Sequence, residues 1–294
     1  MSRFLSRVPV RLFVLALLLL PLAPGIALSQ DQGGGRPSPE KRQPQGPGVL
    51  SLLPDDSVTE HTLQAGGRVI AYTATAGTFP LFDQNGERSA AIFYTAYVAK
   101  DVRPPSEGER PLTFVFNGGP GSASVYLHLG LAGPRIVSFG SPPDGSAVRI
   151  VDNPDSWLAF TDLVFVDPVG TGWSRAAKPD GAKAFWSVGS DAQSLAKVMA
   201  LYVARNGRQA APLYILGESY GGFRAAKVAR TVQREQGLVV GGIVMLSPFL
   251  EGALQGGRQN ALGAALHLPS LAAAALDRRN AFTPEALAAA ERFA

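Results

Sequence analysis

Short apolar runs alternating with helical periodicities organise this chain from about residue 67 onward. Gly67-Arg-Val-Ile-Ala-Tyr-Thr-Ala74 and Ala90-Ala-Ile-Phe-Tyr-Thr-Ala-Tyr-Val98 predict neighbouring antiparallel strands, with Asn85-Gly86 in the connection between them. Leu112-Thr-Phe-Val-Phe116 and Pro212-Leu-Tyr-Ile-Leu216 are short apolar runs suited to buried strands. Asp162-Leu-Val-Phe-Val-Asp167 and Gly242-Ile-Val-Met-Leu-Ser247 read as buried parallel strands. An amphipathic helix is predicted between Ser190, as N-cap, and Gly207, as its stop. A second runs from Phe223 to Val232, with Ala225, Val228, Ala229 and Val232 at helical spacing. Strands alternating with helices predict an α/β fold whose mixed, mostly parallel sheet is antiparallel at its leading edge, with helices on both faces.

The two ends of the chain read differently. Arg3, Arg7 and Arg11 precede Leu12-Phe-Val-Leu-Ala-Leu-Leu-Leu-Leu20, and Ala27-Leu-Ser29 offers small residues at cleavage offsets. This predicts a secretory signal peptide over residues 1–29, with an uncleaved anchor as the alternative. The apolar core is short and Pro21 interrupts it, so no stable membrane span is expected after cleavage. Residues 30–48 are rich in Gln, Gly and Pro and predict a disordered linker, with the catalytic domain occupying residues 49–294. From about residue 250 the chain is rich in Ala, Leu and Gly, as at the start of a helical cap. Thr283-Pro284-Glu285 predicts a helix start, with threonine as N-cap and proline at the first helical position.

Charge and composition narrow the chemistry. The formal charge is +4, and without the three arginines of residues 1–29, which hold no acid, it is +1. Such a balance gives no argument for nucleic-acid binding. The chain has no cysteine, which excludes disulfides, thiol catalysis and cysteine-based metal sites. The three histidines (His61, His128 and His267) form no cluster with nearby acids, and no phosphate-binding loop is present, so neither a metal nor a cofactor is expected. Export without cysteine suits a bacterial periplasmic or extracellular protein stabilised by its core.

Two motifs carry the candidate chemistry. Gly217-Glu-Ser-Tyr-Gly-Gly222 is a G-x-S-x-G elbow between a predicted strand and a predicted helix, the context in which a sharp turn lifts the serine clear of the sheet. Ser219 is therefore the candidate nucleophile. Asn117-Gly-Gly-Pro-Gly-Ser-Ala-Ser124 follows another predicted strand. Acyl transfer needs two preorganised donors aimed at an oxyanion. In this architecture one is the N–H after the nucleophile, here Tyr220, and the other comes from a glycine loop such as Gly118-Gly119.

Together with Asn153-Pro-Asp-Ser-Trp157 and Val166-Asp-Pro-Val-Gly-Thr-Gly-Trp-Ser174, these blocks resemble the serine carboxypeptidases, α/β-hydrolases that remove C-terminal residues from peptides. The resemblance covers residues from about 112 to 250. It implies Ser219 as nucleophile and the N–H groups of Gly119 and Tyr220 as oxyanion hole. It also implies that Asn117, the Gly118 N–H and Glu218 hold the peptide substrate's terminal carboxylate. Two facing carboxylates must share a proton, so acid pH should favour the chemistry. The family usually supplies a second glutamate where this chain has Leu131, which argues against strict carboxypeptidase specificity.

In α/β-hydrolases the triad order is Ser, Asp or Glu, then His. Only His267 follows Ser219, and it lies in an Ala- and Leu-rich stretch that predicts a helix; Glu235 and Glu251 lie between them, so a Ser–Glu–His order is formally open. All three histidines are better read as structural. About 75 residues follow the elbow, too few for a cap, the remaining strands and two catalytic loops. The chain thus reads as the N-terminal portion of a longer protein, inactive alone, whose Asp and His lie beyond residue 294, with a true short chain whose triad is unfilled as the alternative. Two other classes remain open: an esterase, lipase or acyltransferase on the same fold, and a non-catalytic binding module.

Overall fold

A computed structural model describes residues 48–100, 108–141, 145, 147–252 and 260–294. The expected leader and all of the expected linker but Gly48 lie outside the described residues. The strands are β1 (Ser57–Ala65), β2 (Arg68–Phe82), β3 (Arg88–Ala99), β4 (Leu112–Phe116), β5 (Arg135–Ser138), β6 (Arg149–Asp152), β7 (Asp162–Val166), β8 (Arg175–Ala176), β9 (Leu213–Glu218) and β10 (Val240–Leu246). The helices are α1 (Val125–Leu127), α2 (Val188–Arg205), α3 (Tyr220–Gln236), α4 (Ala261–Asp277) and α5 (Pro284–Phe293). None of the described helices is long and apolar enough to cross a membrane.

The main sheet runs β1-β2-β3-β7-β4-β9-β10, with β8 pairing β3, while β5 and β6 form a separate hairpin. Pairing is antiparallel through β1, β2, β3 and β7, and parallel through β7, β4, β9 and β10. This is the α/β-hydrolase arrangement, an antiparallel leading edge followed by a parallel half. The connection between β2 and β3 turns at Gly86, where Asp83 Oδ1 accepts from the Asn85 and Glu87 N–H groups.

Central β4 explains why its sequence reads as an unbroken apolar run. All five of its residues are buried, because both faces of the sheet are covered. Leu112, Phe114 and Phe116 join Ile215 and the buried stripes of α2 and α3, including Leu195, Met199 and Val228. Val115 points the other way, with Leu163, Phe165, Leu216, Leu127 and Leu158. Each of these large side chains contributes on the order of 2 kcal/mol by leaving water.

Two expectations need correction. Helix α2 begins at Val188, not after Ser190: the Ser187 backbone is extended and its Oγ accepts the Ser190 N–H at 3.1 Å. Ser190 is thus the third helical residue, whose N–H is the one an N-cap serine satisfies. Strand β10 is parallel as expected, but it is half-buried to exposed along its length. Among the described residues it has β9 on one side and no strand on the other.

At the amino ends of β4 and β7 a buried charge cluster ties the frame. Asp162 is 2% exposed. Its Oδ1 accepts from Arg110 Nε at 2.8 Å and from the Ala99 N–H at 3.0 Å, and its Oδ2 accepts from Arg208 Nη1 at 2.7 Å. One carboxylate thereby joins the end of β3, the approach to β4, the start of β7 and the α2–β9 loop. Removing it takes the shared carboxylate from both Arg110 and Arg208, and breaking a buried pair in this way costs about 3 kcal/mol or more. Asp162→Ala should therefore lower unfolding free energy by that amount in urea titrations; a loss below about 1 kcal/mol would refute the cluster's structural weight.

Candidate active site

The elbow is built from backbone strain and missing side chains. Strand β9 passes straight into α3 through Ser219, whose φ of 57° and ψ of −124° are conformations that non-glycine residues avoid. Three hydrogen bonds hold it there. The Ser219 N–H donates to Leu246 O at 2.9 Å, and Ser219 O accepts from Gly222 and Phe249, each at 3.0 Å. The glycines around it are steric necessities: a Cβ on Gly217 would lie 2.1 Å from Gly221 O, and one on Gly221 would lie 2.4 Å from Phe116 O.

Parallel pairing of β4 with β9 sets Phe116 opposite Gly217, so the loop after β4 faces the elbow. A Cβ on Gly118 would lie 2.8 Å from each of Ser219 Cβ, Glu218 O and Tyr220 N. Gly119 has a φ of 105°, and Gly121 one of 120°, both in the region that favours glycine. Among the described residues, no protein group accepts a hydrogen bond from the N–H of Gly119 or Tyr220. The loop is anchored below by Ser124, whose N–H donates to Asp167 Oδ1 at 2.9 Å and whose Oγ donates to Val166 O at 2.6 Å. Burial pushes the Asp167 carboxyl up, opposed by the donors Ser124 and Trp173. Gly172 is required beside it, since a Cβ there would lie 1.8 Å from Asp167 Oδ2.

A cavity of about 580 Å³ opens over Ser219, lined also by Asn117, Gly119, Ser122, Leu131 and Glu218. Buried Asn117 bridges it: its Oδ1 accepts the Leu127 N–H at 3.0 Å, and its Nδ2 donates to Glu218 Oε2 at 3.1 Å. The structure thus brings Asn117, Gly118, Gly119, Glu218, Ser219 and Tyr220 together in one place. It does not bring a histidine there. His61 stacks on Tyr72 at the sheet edge, His128 bonds Tyr97 Oη at 2.6 Å, and His267 is an exposed residue of α4. None of the three lines the cavity, and among the described residues no side chain partners Ser219 Oγ.

Two supporting roles were not legible in the sequence, although the Asn153-Pro-Asp-Ser-Trp157 block itself was. Asn153 Nδ2 donates to both Leu131 O and Gly133 O at 2.8 Å, and Ser156 Oγ donates to Ala132 O at 3.0 Å. The Asn153-Pro-Asp-Ser-Trp157 block is therefore a clasp on the π-helical turn His128–Ala132, which carries Leu131 to the cavity wall. Arg224 is the second support; buried in α3, it pairs with Asp191 of α2 at 2.7 Å. Burial pushes the Asp191 carboxyl up, while Arg224 pulls it down. No signal in the spacing marks either partner, since 33 residues separate them.

Residues 76–240 match the family described as serine carboxypeptidase. Similar curated proteins include serine carboxypeptidase S10 family member 1 of Dictyostelium discoideum, 28% identical over 143 residues, covering 48% of this chain and 31% of that protein. Retinoid-inducible serine carboxypeptidase of Rattus norvegicus is 32% identical over 155 residues, covering 51% of this chain and 31% of that protein. Among solved structures, the prohormone-processing carboxypeptidase KEX1(delta)p of Saccharomyces cerevisiae is 19% identical, with a TM-score of 0.48 over 72% of this chain and 43% of that chain. The match thus spans about a third of the length of these curated relatives.

His128 supplies a test of how the cavity wall is held. It stacks on Phe165 at 4.5 Å, and burial lowers it from 6.5 to about 4. The unfolded chain therefore takes up a proton between pH 6.5 and 4 that the folded chain does not, and stability falls with pH across that window. The full effect is on the order of 3 kcal/mol. Urea unfolding at pH 7 and pH 4.5 should show this loss in the wild type and a smaller one in His128→Gln. An equal loss in both proteins would refute the assignment.

Proposed function

This chain belongs to the serine carboxypeptidase family, and we propose that it carries the nucleophile, oxyanion and carboxylate-binding parts of a serine-type carboxypeptidase that releases C-terminal residues from peptides. The observation that carries this reading is the meeting, at one cavity, of a strained elbow serine, two N–H groups without a protein acceptor among the described residues, and an Asn117–Glu218 pair.

On this reading the substrate's terminal carboxylate binds Asn117 Nδ2, the Gly118 N–H and Glu218. Ser219 Oγ attacks the carbonyl carbon of the last peptide bond and gives its proton to a histidine base. The N–H groups of Gly119 and Tyr220 stabilise the oxyanion. The tetrahedral intermediate then collapses: the C–N bond breaks, the histidine returns the proton to the departing amine, and the acyl group stays on Oγ. Water hydrolyses that ester by the same route. The histidine and its aspartate are proposed to lie beyond residue 294, because His61, His128 and His267 all sit elsewhere. Residues 1–294 would then have no turnover alone.

A second reading, an esterase or acyltransferase on the same fold, is favoured by one observation. Among the described residues that line the cavity the one acid is Glu218, with Leu131 on the wall where the family resemblance leads one to expect another glutamate. Peptide acid, peptide amide and simple ester substrates separate the two. In the full-length protein a carboxypeptidase should cleave the acid best. Ser219→Ala should abolish turnover by about 10⁴-fold without loss of folding. More than a tenth of wild-type activity in the folded variant would sink the nucleophile assignment. Preference for the ester, with no acid preference, would favour the second reading.

We also propose export to the periplasm or the medium, on the strength of the basic, apolar and small-residue succession over residues 1–29. N-terminal sequencing of the exported protein should begin at Gln30; a retained Met1 start would refute cleavage.

A further inference from the structure

Arg224 is a cation placed on the buried stripe of α3, between Gly221 and Ala225, and it is only 3% exposed. Taking a guanidinium out of water costs several kcal/mol unless it is paired. Among the described residues Asp191 supplies the neutralising charge, accepting from Arg224 Nε at 2.7 Å. A purely structural ion pair needs nothing more. The same guanidinium nonetheless spends a second donor on the main chain: Nη1 donates to Asn117 O at 2.7 Å, across 107 residues of sequence. Its carbon also lies 5.1 Å from the centroid of the Tyr220 ring.

That carbonyl is not an arbitrary acceptor. Asn117 O and the Gly118 N–H belong to one trans peptide, and in a trans peptide the two point in opposite directions. Pinning the oxygen toward Arg224 therefore fixes the N–H away from it. A charge-assisted bond to the carbonyl also polarises the peptide and strengthens its N–H as a donor. Gly221 keeps the approach open, since a Cβ there would lie 2.9 Å from Asn117 O.

We propose that Arg224 is a positioning residue for recognition of the substrate's terminal carboxylate: its guanidinium locks the Asn117–Gly118 peptide so that the Gly118 N–H is presented to the carboxylate. The inference rests on the carboxypeptidase reading above and assigns a role to a residue outside the elbow and the glycine loop. It distinguishes the fork of arginine from any single cation, because a lysine ammonium holds Asp191 but lacks the planar second donor that reaches the carbonyl.

Binding measured in the full-length protein with Ser219→Ala separates recognition from turnover. A peptide acid and its C-terminal amide are titrated by calorimetry at acid pH, and the ratio of their affinities is the readout. Arg224→Lys and Arg224→Gln should each weaken the acid about tenfold while changing the amide less than about twofold. Whichever of the two folds suffices, and thermal melts check this. Asp191→Asn is the counter-test: it removes the buried charge pair but leaves the guanidinium on Asn117 O, so it should lower the melting temperature and keep the acid-to-amide ratio. Equal weakening of acid and amide in the Arg224 variants, or an unchanged ratio, overturns the proposal. A Ser219→Ala parent that binds acid and amide alike overturns the carboxypeptidase reading itself, and the role of Arg224 with it.

Discussion

Two loops meet at the carboxyl ends of β4 and β9 with no room for a methyl group between them, and the site depends on that closeness. Gly118 faces Ser219 Cβ, Gly221 faces the Phe116 carbonyl, and Gly217 faces Gly221, each at a distance that a Cβ would make impossible. Parallel pairing brings the loops together, because it sets the ends of neighbouring strands at one edge, here Phe116 against Gly217. The strain at Ser219 costs on the order of 1–3 kcal/mol, and it persists only because the surroundings over-determine it. Leu246, Gly222 and Phe249 supply that constraint through hydrogen bonds to the serine's own main chain.

Buried charge is used at both ends of the parallel strands, to different effect. At the amino ends, Asp162 is saturated by Arg110, Arg208 and the Ala99 N–H, and it joins segments far from the cavity. At the carboxyl ends, Asp191 takes one donor of Arg224 and leaves another for a loop carbonyl. A buried pair is weak evidence for net stability. What both clusters achieve is a fixed relation between elements distant in sequence. In the first the fixed object is the frame, and in the second it is a peptide at the cavity.

The sequence announces whatever is local. The apolar runs of β4, β7 and β9, the Asn85-Gly86 turn, and the Thr283 cap over Pro284 are each set by neighbours within a few residues, and each appears where the pattern places it. The elbow and the glycine loop were legible for the same reason. Less visible was anything settled by a distant partner. Ser187 and Ser190 both look like caps, and only the backbone decides that Ser187 Oγ is the acceptor. Strand β10 has the composition of a buried strand, but its exposure depends on what flanks it. The Asn153 clasp on Leu131 O and Gly133 O joins residues 22 and 20 apart through side-chain-to-backbone bonds, which leave no periodicity.

That clasp bears on how Leu131 is to be understood. The turn His128–Ala132 is held by main-chain carbonyls given to Asn153 and Ser156, by the His128–Tyr97 bond and by the stacking of His128 on Phe165. None of these contacts involves the side chain of residue 131. The wall of the cavity is therefore built independently of the group it displays there, and a leucine occupies the position without disturbing the turn. Glu218 is different, because its carboxylate is tied to Asn117, and Asn117 is tied to Leu127 and Arg224. Glu218 is thus held within the network, whereas the contacts that hold the turn do not use the Leu131 side chain. The main-chain clasp therefore leaves the chemistry of residue 131 open to change while the turn that carries it stays in place.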